Sequence, residues 1–316
     1  MSLRVVIDTD TASDDAIALM MAVAEPRATI EAVTTVAGNV PIELSTFNAL
    51  YTLELMGADD IAVYEGCDRP LLRQLETAQW VHGLDGMGDL NLTPPRGTPK
   101  SEHAVDALLR LSKEHEGALT LVTLGPLTNV AAAIIRDRNL LTRFESTYIM
   151  GGAPDGVGNV SAVGEYNVWA DPEAAAITLG AAGRKVMVGW NISRTRAVIG
   201  PAERRILEEI DTPYSRFALD INTVVERVVA EEFGLEGFDL PDPITMAVAL
   251  DPSIITRAED LHVGVVTGDD ARGLTYPDHR RSVSPPPNTT VVWDVDGAAF
   301  RTRLYETCRG THVGSG

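Results

Sequence analysis

Four aspartates stand close together near the N-terminus: Asp8, Asp10, Asp14 and Asp15. An apolar run, Val5-Val6-Ile7, comes before them, and a second, Ala16 to Val23, comes after. Carboxylates brought this near one another raise each other's pKa values and take up protons unless a positive charge holds them. A hard divalent cation is the usual partner, because it takes carboxylate oxygens. An aspartate at a strand-to-helix junction can also be a plain cap, accepting from the free N–H groups of the first turn. Capping occupies Ser13 or Asp14 and leaves Asp8 and Asp10, two apart at a strand end, without a task. The group as a whole points to a cation site.

Two metal patterns can be checked residue by residue. An EF-hand loop needs Gly at its sixth position and Glu at its twelfth. Counted from Asp8 these are Ser13 and Leu19, so that pattern fails. A haloacid dehalogenase-type phosphatase opens with a strand and Asp-x-Asp-x-Thr/Val, which Asp8-Thr9-Asp10-Thr11 fits, with Asp8 as nucleophile. Gly268-Asp269-Asp270 could be its later acidic motif. Such an enzyme also needs a downstream lysine. The chain offers Lys100, Lys113 and Lys185, none in a clear loop after a strand, and Asp14-Asp15 is left unexplained.

The elements that must position these carboxylates alternate along the chain. Residues 4–8, 30–36, 61–64, 118–124, 145–150 and 185–190 read as buried strands. Residues 14–24, 42–56, 102–115, 127–136 and 172–182 read as helices. Such alternation predicts a mainly parallel sheet in a Rossmann-like open α/β core with helices on both faces. Ligands then bind beyond the carboxyl ends of the strands. Polar clusters fall there: Asp8 to Asp15, Gly38-Asn39, Leu124-Gly125 and Gly151-Gly152. Residues 66–99 form a long turn-rich loop, a candidate flap that carries Trp80 and His82. Residues 201–235 suggest an outer helical lobe, 242–250 a buried helix begun by Asp242 and Pro243, and 298–308 a closing amphipathic helix. One domain over 1–309 is expected, with a disordered tail at 310–316.

Composition narrows the partners. A net charge of −19 argues against nucleic acid and anionic membranes, which need a basic face. Cys67 and Cys308 stand alone and imply no disulfide framework and no thiolate zinc site. The six histidines show no ligand spacing. No basic segment leads into an apolar one at the start, and no apolar run nears bilayer length, so a cytoplasmic location is expected.

A longer series of motifs runs through the chain. Asp8-Thr9-Asp10-x-x-x-Asp14-Asp15-Ala16 resembles the N-terminal signature of the inosine–uridine nucleoside hydrolases. In the same order follow Gly38-Asn39-Val40, Val81-His82-Gly83-x-Asp85-Gly86, Leu124-Gly125-Pro126-Leu127-Thr128-Asn129, Met150-Gly151-Gly152, Gly158-Asn159, Glu165-Tyr166-Asn167 and Ala170-Asp171-Pro172-Glu173. Asp242-Pro243 falls where that family has its last metal-binding aspartate. The resemblance runs from about residue 3 to the closing helix.

It implies calcium-dependent hydrolysis of a small-molecule ribonucleoside to base and ribose, by a homo-oligomer, dimer or tetramer. Asp10, Asp15, Asp242 and the Leu124 carbonyl would hold Ca2+, with a water and two ribose hydroxyls, and Asp10 would take the proton from that water. Asp14, Asn39, Asn159, Glu165 and Asn167 would bind the sugar, and Asp8 would brace the ligands from behind. The residue types suit such a reaction. Its transition state is an oxocarbenium-like cation, which an anionic pocket favours over the neutral substrate.

One position departs from the pattern. Many members of the family place a histidine just before the last aspartate, where it can protonate the leaving base. Here the residue is Pro241, which has no proton to give. His82 could serve instead. An aromatic stack from Trp80, Tyr166, Trp169 or Trp190 could raise the basicity of the base, or the leaving group could need little help. A nucleoside- or ribose-binding protein without efficient turnover is the remaining alternative.

Overall fold

The computed structural model describes residues 3–234, 236–280, 282 and 285–310. Its centre is a nine-stranded sheet. The strands are β1 (Leu3–Thr9), β2 (Ala28–Thr35), β3 (Val63–Glu65), β4 (Thr120–Thr123), β5 (Ser146–Met150), β6 (Lys185–Val188), β9 (Ile255–Val265), β10 (Thr275–Asp278) and β11 (Thr289–Val295). A separate antiparallel pair joins β7 (Val198–Ile199) to β8 (Phe238–Asp239). The large sheet runs in the order β10-β9-β11-β6-β5-β4-β1-β2-β3. Pairing is parallel from β3 across to β11, while β9 runs antiparallel to both β11 and β10. The six strands read from the sequence are β1 to β6. The C-terminal strands β9, β10 and β11 are additions.

Strand side chains alternate between two apolar layers, as period 2 requires. Val5 and Ile7 of β1 pack into one buried cluster and Val6 into another. Tyr148 and Met150 of β5 face the first layer, and Ile149 the opposite side. Helices therefore cover both faces. They are α1 (Ser13–Ala24), α2 (Ile42–Leu55), α3 (Gln79–His82), α4 (Ala104–Glu114), α5 (Thr128–Arg136), α6 (Tyr166–Ala170), α7 (Pro172–Gly180), α8 (Trp190–Arg196), α9 (Pro201–Ile210), α10 (Pro213–Asp220), α11 (Thr223–Phe233), α12 (Pro241–Leu250) and α13 (Gly297–Arg309). The expected outer lobe is α9 to α11. Gly310 caps α13 at φ 69°, and the rest of the expected tail lies outside the described residues.

The chain leaves β1 for β2 and β3 on one side and returns to β4 on the other. Strand order therefore reverses at β1 and β4, where an open α/β sheet leaves a crevice at its carboxyl edge. Helix α1 fills the space beside β1. Its residues Ser13 to Ala22 are all buried, which suits a helix apolar on every side. Helix α12 is as deeply buried and packs against α1.

Candidate active site

Helices α1 and α12 bring their first turns together. Asp14 and Asp15 come from one and Asp242 from the other. Each of the three offers a carboxylate oxygen within 4.8 Å of the others, and all three are buried. Both helix N-termini carry partial positive charge, which favours carboxylates there. Asp15 is locked in place: Oδ1 accepts from Thr9 Oγ1 at 2.5 Å and Oδ2 from Ala12 N–H at 2.9 Å.

Asp10 stands beside this trio rather than within it. Its Oδ2 accepts from the Asn39 N–H at 2.6 Å. Its Oδ1, like Asp14 Oδ1, is buried and has no hydrogen-bond partner among the described residues; His82 Nδ1 is 3.9 Å from Asp14 Oδ1. Burial, then the charge of Asp15, pushes the Asp10 carboxyl well above its ordinary range. Burial likewise raises Asp14 and Asp15 to about 6, and burial with the charge of Asp14 raises Asp242 strongly. Unpartnered buried oxygens and mutually repelling carboxylates are the donor set that a hard cation satisfies. The Leu124 carbonyl, at the end of β4, accepts from Asn167 Nδ2 at 2.6 Å.

Asp14, Asp242 and the Leu124–Asn167 pair border a cavity of about 370 Å³, with Asp10 and Asp15 outside its lining. Asp14, Asn39, Leu124, Asn159, Glu165, Asn167 and Asp242 all line it. Glu165 caps α6, and its carboxylate accepts from the N–H groups of Asn167, Val168 and Gly152 at 2.9, 3.2 and 2.7 Å. Asn159 Oδ1 accepts from the Tyr166 N–H at 2.9 Å, so this asparagine also braces the segment beside it. Asp8 lies behind the cluster. Its Oδ1 accepts from Thr34 Oγ1 at 2.5 Å and Asn129 Nδ2 at 2.8 Å.

The rest of the wall is largely apolar and aromatic, with Trp80, Val81, Tyr166, Trp190, Val225 and Phe238 in it. His82 lines it beside the carboxylates. His82 Nδ1 meets Ser13 Oγ at 2.8 Å, and burial lowers the imidazole to about 4, so it is neutral near pH 7. Trp169, grouped with these residues from the sequence, does not line the cavity; the Arg272 guanidinium lies over its ring at 3.9 Å. Sequence reading missed Asp239 of β8, which lines the cavity and accepts from Trp190 Nε1 at 2.9 Å and Ser193 Oγ at 2.5 Å.

The phosphatase pattern does not assemble. Asp269, in the expected later motif, is exposed at the turn after β9 and pairs with Arg73. Lys185 Nζ donates to the carbonyls of Ala181 and Gly183.

The model of the family described as inosine-uridine preferring nucleoside hydrolase matches residues 5–302. The chain belongs to that family. It is 36% identical over 302 residues to the pyrimidine-specific ribonucleoside hydrolase RihA of Klebsiella pneumoniae, covering 95% of this chain and 96% of that one. Among solved structures, the plant nucleoside hydrolase PpNRh1 superposes with a TM-score of 0.92 at 32% identity, covering 98% of this chain and 99% of that one. The purine-preferring ribonucleoside hydrolase from Gardnerella vaginalis gives 0.89 at 27% identity, covering 97% and 99%. Membership makes this chain a nucleoside hydrolase, an N-glycosidase. Its relatives split between pyrimidine and purine bases, so membership leaves the base open. No helix among the described residues is long and apolar enough to cross a membrane.

Proposed function

We propose that this hydrolase cleaves the N-glycosidic bond of ribonucleosides with a calcium ion held by Asp10, Asp15, Asp242 and the Leu124 carbonyl. The observation that carries this reading is the buried carboxylate cluster bordering a cavity whose wall is otherwise largely apolar and aromatic. An all-oxygen donor set favours calcium over zinc. When bound, the cation would keep these carboxylates ionised, orient the sugar and make a water easier to deprotonate.

The chain's own residues supply the rest. Asp10 Oδ1 is free to accept the proton of the attacking water, while the Asn39 N–H fixes Oδ2. Asp14, Asn39, Asn159, Glu165 and Asn167 offer donors and acceptors for ribose hydroxyls. The anionic cluster favours the cationic ribosyl transition state over the neutral nucleoside, which is the differential that accelerates bond cleavage. Trp80, Tyr166 and Trp190 offer stacking surfaces to the base. The same proposal takes the chain to be one domain and a cytoplasmic homo-oligomer, a dimer or tetramer, which sedimentation tests.

The deciding experiment is a panel of ribonucleosides assayed for free ribose, with phosphate esters in parallel, before and after chelation and calcium return. Ribose release that stops on chelation and resumes with calcium is expected. Turnover of phosphate esters alone would overturn the proposal. So would tight binding of a ribosyl transition-state mimic with no ribose release from any nucleoside.

A further inference from the structure

We propose that Asp239 is the residue that reads the leaving base, accepting a hydrogen bond from a ring N–H on the base edge. The proposal rests on the ribonucleoside hydrolase reading above and adds to it a selection rule and the residue that imposes it.

Asp239 shares the cavity wall with Trp80, Val225, Val229 and Phe238, and with the polar side chains of His82 and Arg194; Trp190 is beside it. A carboxylate in such surroundings needs donors, because an unpaired buried charge is costly. Two other residues donate to Asp239, both to the same oxygen, and its own backbone N–H also reaches the carboxylate. Trp190 Nε1 donates to Oδ2 at 2.9 Å and Ser193 Oγ donates to it at 2.5 Å. The other oxygen, Oδ1, accepts from no other residue among those described. The side chain is half-buried and borders the cavity, so what its second oxygen lacks, a ligand can supply.

Its backbone is held as firmly as its side chain. Asp239 pairs with Val198 in the β7–β8 ribbon, and α12, which carries Asp242, begins two residues later. The acceptor is therefore fixed relative to the sugar-binding end. An ionised carboxylate accepts and cannot donate. Ribose hydroxyls already have Asp14, Asn39, Glu165 and Asn167 along the same cavity, which leaves the base as the partner for Asp239. Uracil and hypoxanthine each carry a ring N–H. Methylating that nitrogen removes the donor while keeping the ribose and the glycosidic bond.

The test compares kcat/KM for uridine with 3-methyluridine, and for inosine with 1-methylinosine. In the unsubstituted enzyme the methylated member of at least one pair should be poorer by about tenfold or more, the weight of a charge-assisted hydrogen bond lost in a buried site. Asp239→Asn then separates hydrogen bonding from bulk. Two donors converge on the Oδ2 position, so the amide oxygen must sit there and the NH₂ must face the cavity. The variant thus keeps its shape and exchanges an acceptor for a donor. Uridine or inosine should fall by about tenfold or more, and the methylated partner should fall less, closing the gap. A nitrophenyl riboside, which has no N–H, should lose less than uridine or inosine does, and its turnover reports that the variant is folded.

A methyl penalty of the same size in Asp239→Asn would assign the effect to bulk and overturn the proposal. Equal losses on all substrates, the nitrophenyl riboside included, would make Asp239 only a brace for Trp190 and Ser193. Absence of any methyl penalty in the unsubstituted enzyme overturns it without any variant. Failure of the unsubstituted enzyme to release ribose from any substrate would instead overturn the hydrolase reading.

Discussion

Gly38 packs directly on the carboxylate of Asp10: a methyl group on its Cα would lie 2.1 Å from Asp10 Oδ2. Gly125 does the same from the other side, where a Cβ would come 2.6 Å from Oδ1. Neither glycine has a positive φ, so both are there for space rather than for a left-handed backbone. The carboxylate is thus clamped between two backbones. Gly38→Ala should push it aside and lower kcat by about a hundredfold, the scale of a misplacement near 1 Å. The measurement is ribose release beside a melting curve. An active, equally stable Gly38→Ala enzyme would show that Asp10 need not sit where it does.

The N-terminal half of this architecture was legible because β1, β2, β4 and β5 are short and mainly apolar, and each gives way to polar or glycine-rich residues within a few positions of its carboxyl end. The edge was not. Strand β9 exposes all of Thr256 to Asp260, so it shows neither an apolar run nor a clean alternation. Trp190 read as the end of a strand, yet β6 stops at Val188 and Trp190 starts α8. Trp169 meets the Tyr166 ring at 6.5 Å, yet only Tyr166 lines the cavity, because the Trp169 ring lies under Arg272. Asp239 carried no signal. A single acid in an apolar stretch has no spacing to mark it, and its donors lie 46 and 49 positions away.

Metal dependence follows from the unpartnered oxygens. Calcium should raise the melting temperature, because an ion that binds only the folded state stabilises it by mass action. Asp242→Asn should abolish that rise and leave calorimetric titration with calcium flat. Stabilisation by zinc and not by calcium would contradict the all-oxygen ligand set.

Sugar recognition gives a second substrate test. Asp14, Glu165 and Asn167 are buried and border the cavity. A 2′-deoxynucleoside would leave such groups unpaired, and sites built to bind a hydroxyl reject analogues without it by up to about 10⁴-fold. A ribo-to-deoxyribo preference well above a hundredfold in kcat/KM is expected. Equal rates would remove these residues from the sugar site.

The far ends of the two helices that carry the aspartates are tied together. Arg303 of α13 donates to Glu25, which ends α1, and lies 3.8 Å from Asp251, which ends α12. Burial opposes the Glu25 charge, but Arg27 and Arg303 outweigh it and hold the carboxyl below its ordinary value of 4.5. Arg303→Ala should cost roughly 2–3 kcal/mol at neutral pH, short of a wholly abandoned buried charge because Arg27 remains. A depressed carboxyl stabilises the fold above its unfolded pKa, and that contribution fades as pH falls through the lower folded value. The difference between the two proteins should therefore be full above about pH 5 and shrink below 4.5. A difference independent of pH in denaturant melts would assign the loss to packing of the arginine stem.

Pro241 opens α12, with Asp242 next to it and the cavity in front. Its carbonyl accepts from Thr245 Oγ1 at 2.9 Å, and its ring has no proton to give. His82 is the nearest imidazole to the site, but burial keeps it neutral near pH 7. A leaving group that needs no protonation should therefore do well here. The ratio of kcat/KM for a nitrophenyl riboside to that for inosine should be high, and Pro241→His should narrow it by supplying a donor worth about 10²-fold or more in general-acid catalysis. Both substrates share the ribose, so the ratio isolates leaving-group chemistry from sugar binding. If inosine is cleaved as readily as the nitrophenyl riboside, the chain already has its acid. Substituting Trp80, His82 and Trp190 in turn would then find it. His82→Ala should be the variant that loses inosine while keeping the nitrophenyl riboside, because only His82 of the three can pass a proton through its ring nitrogens.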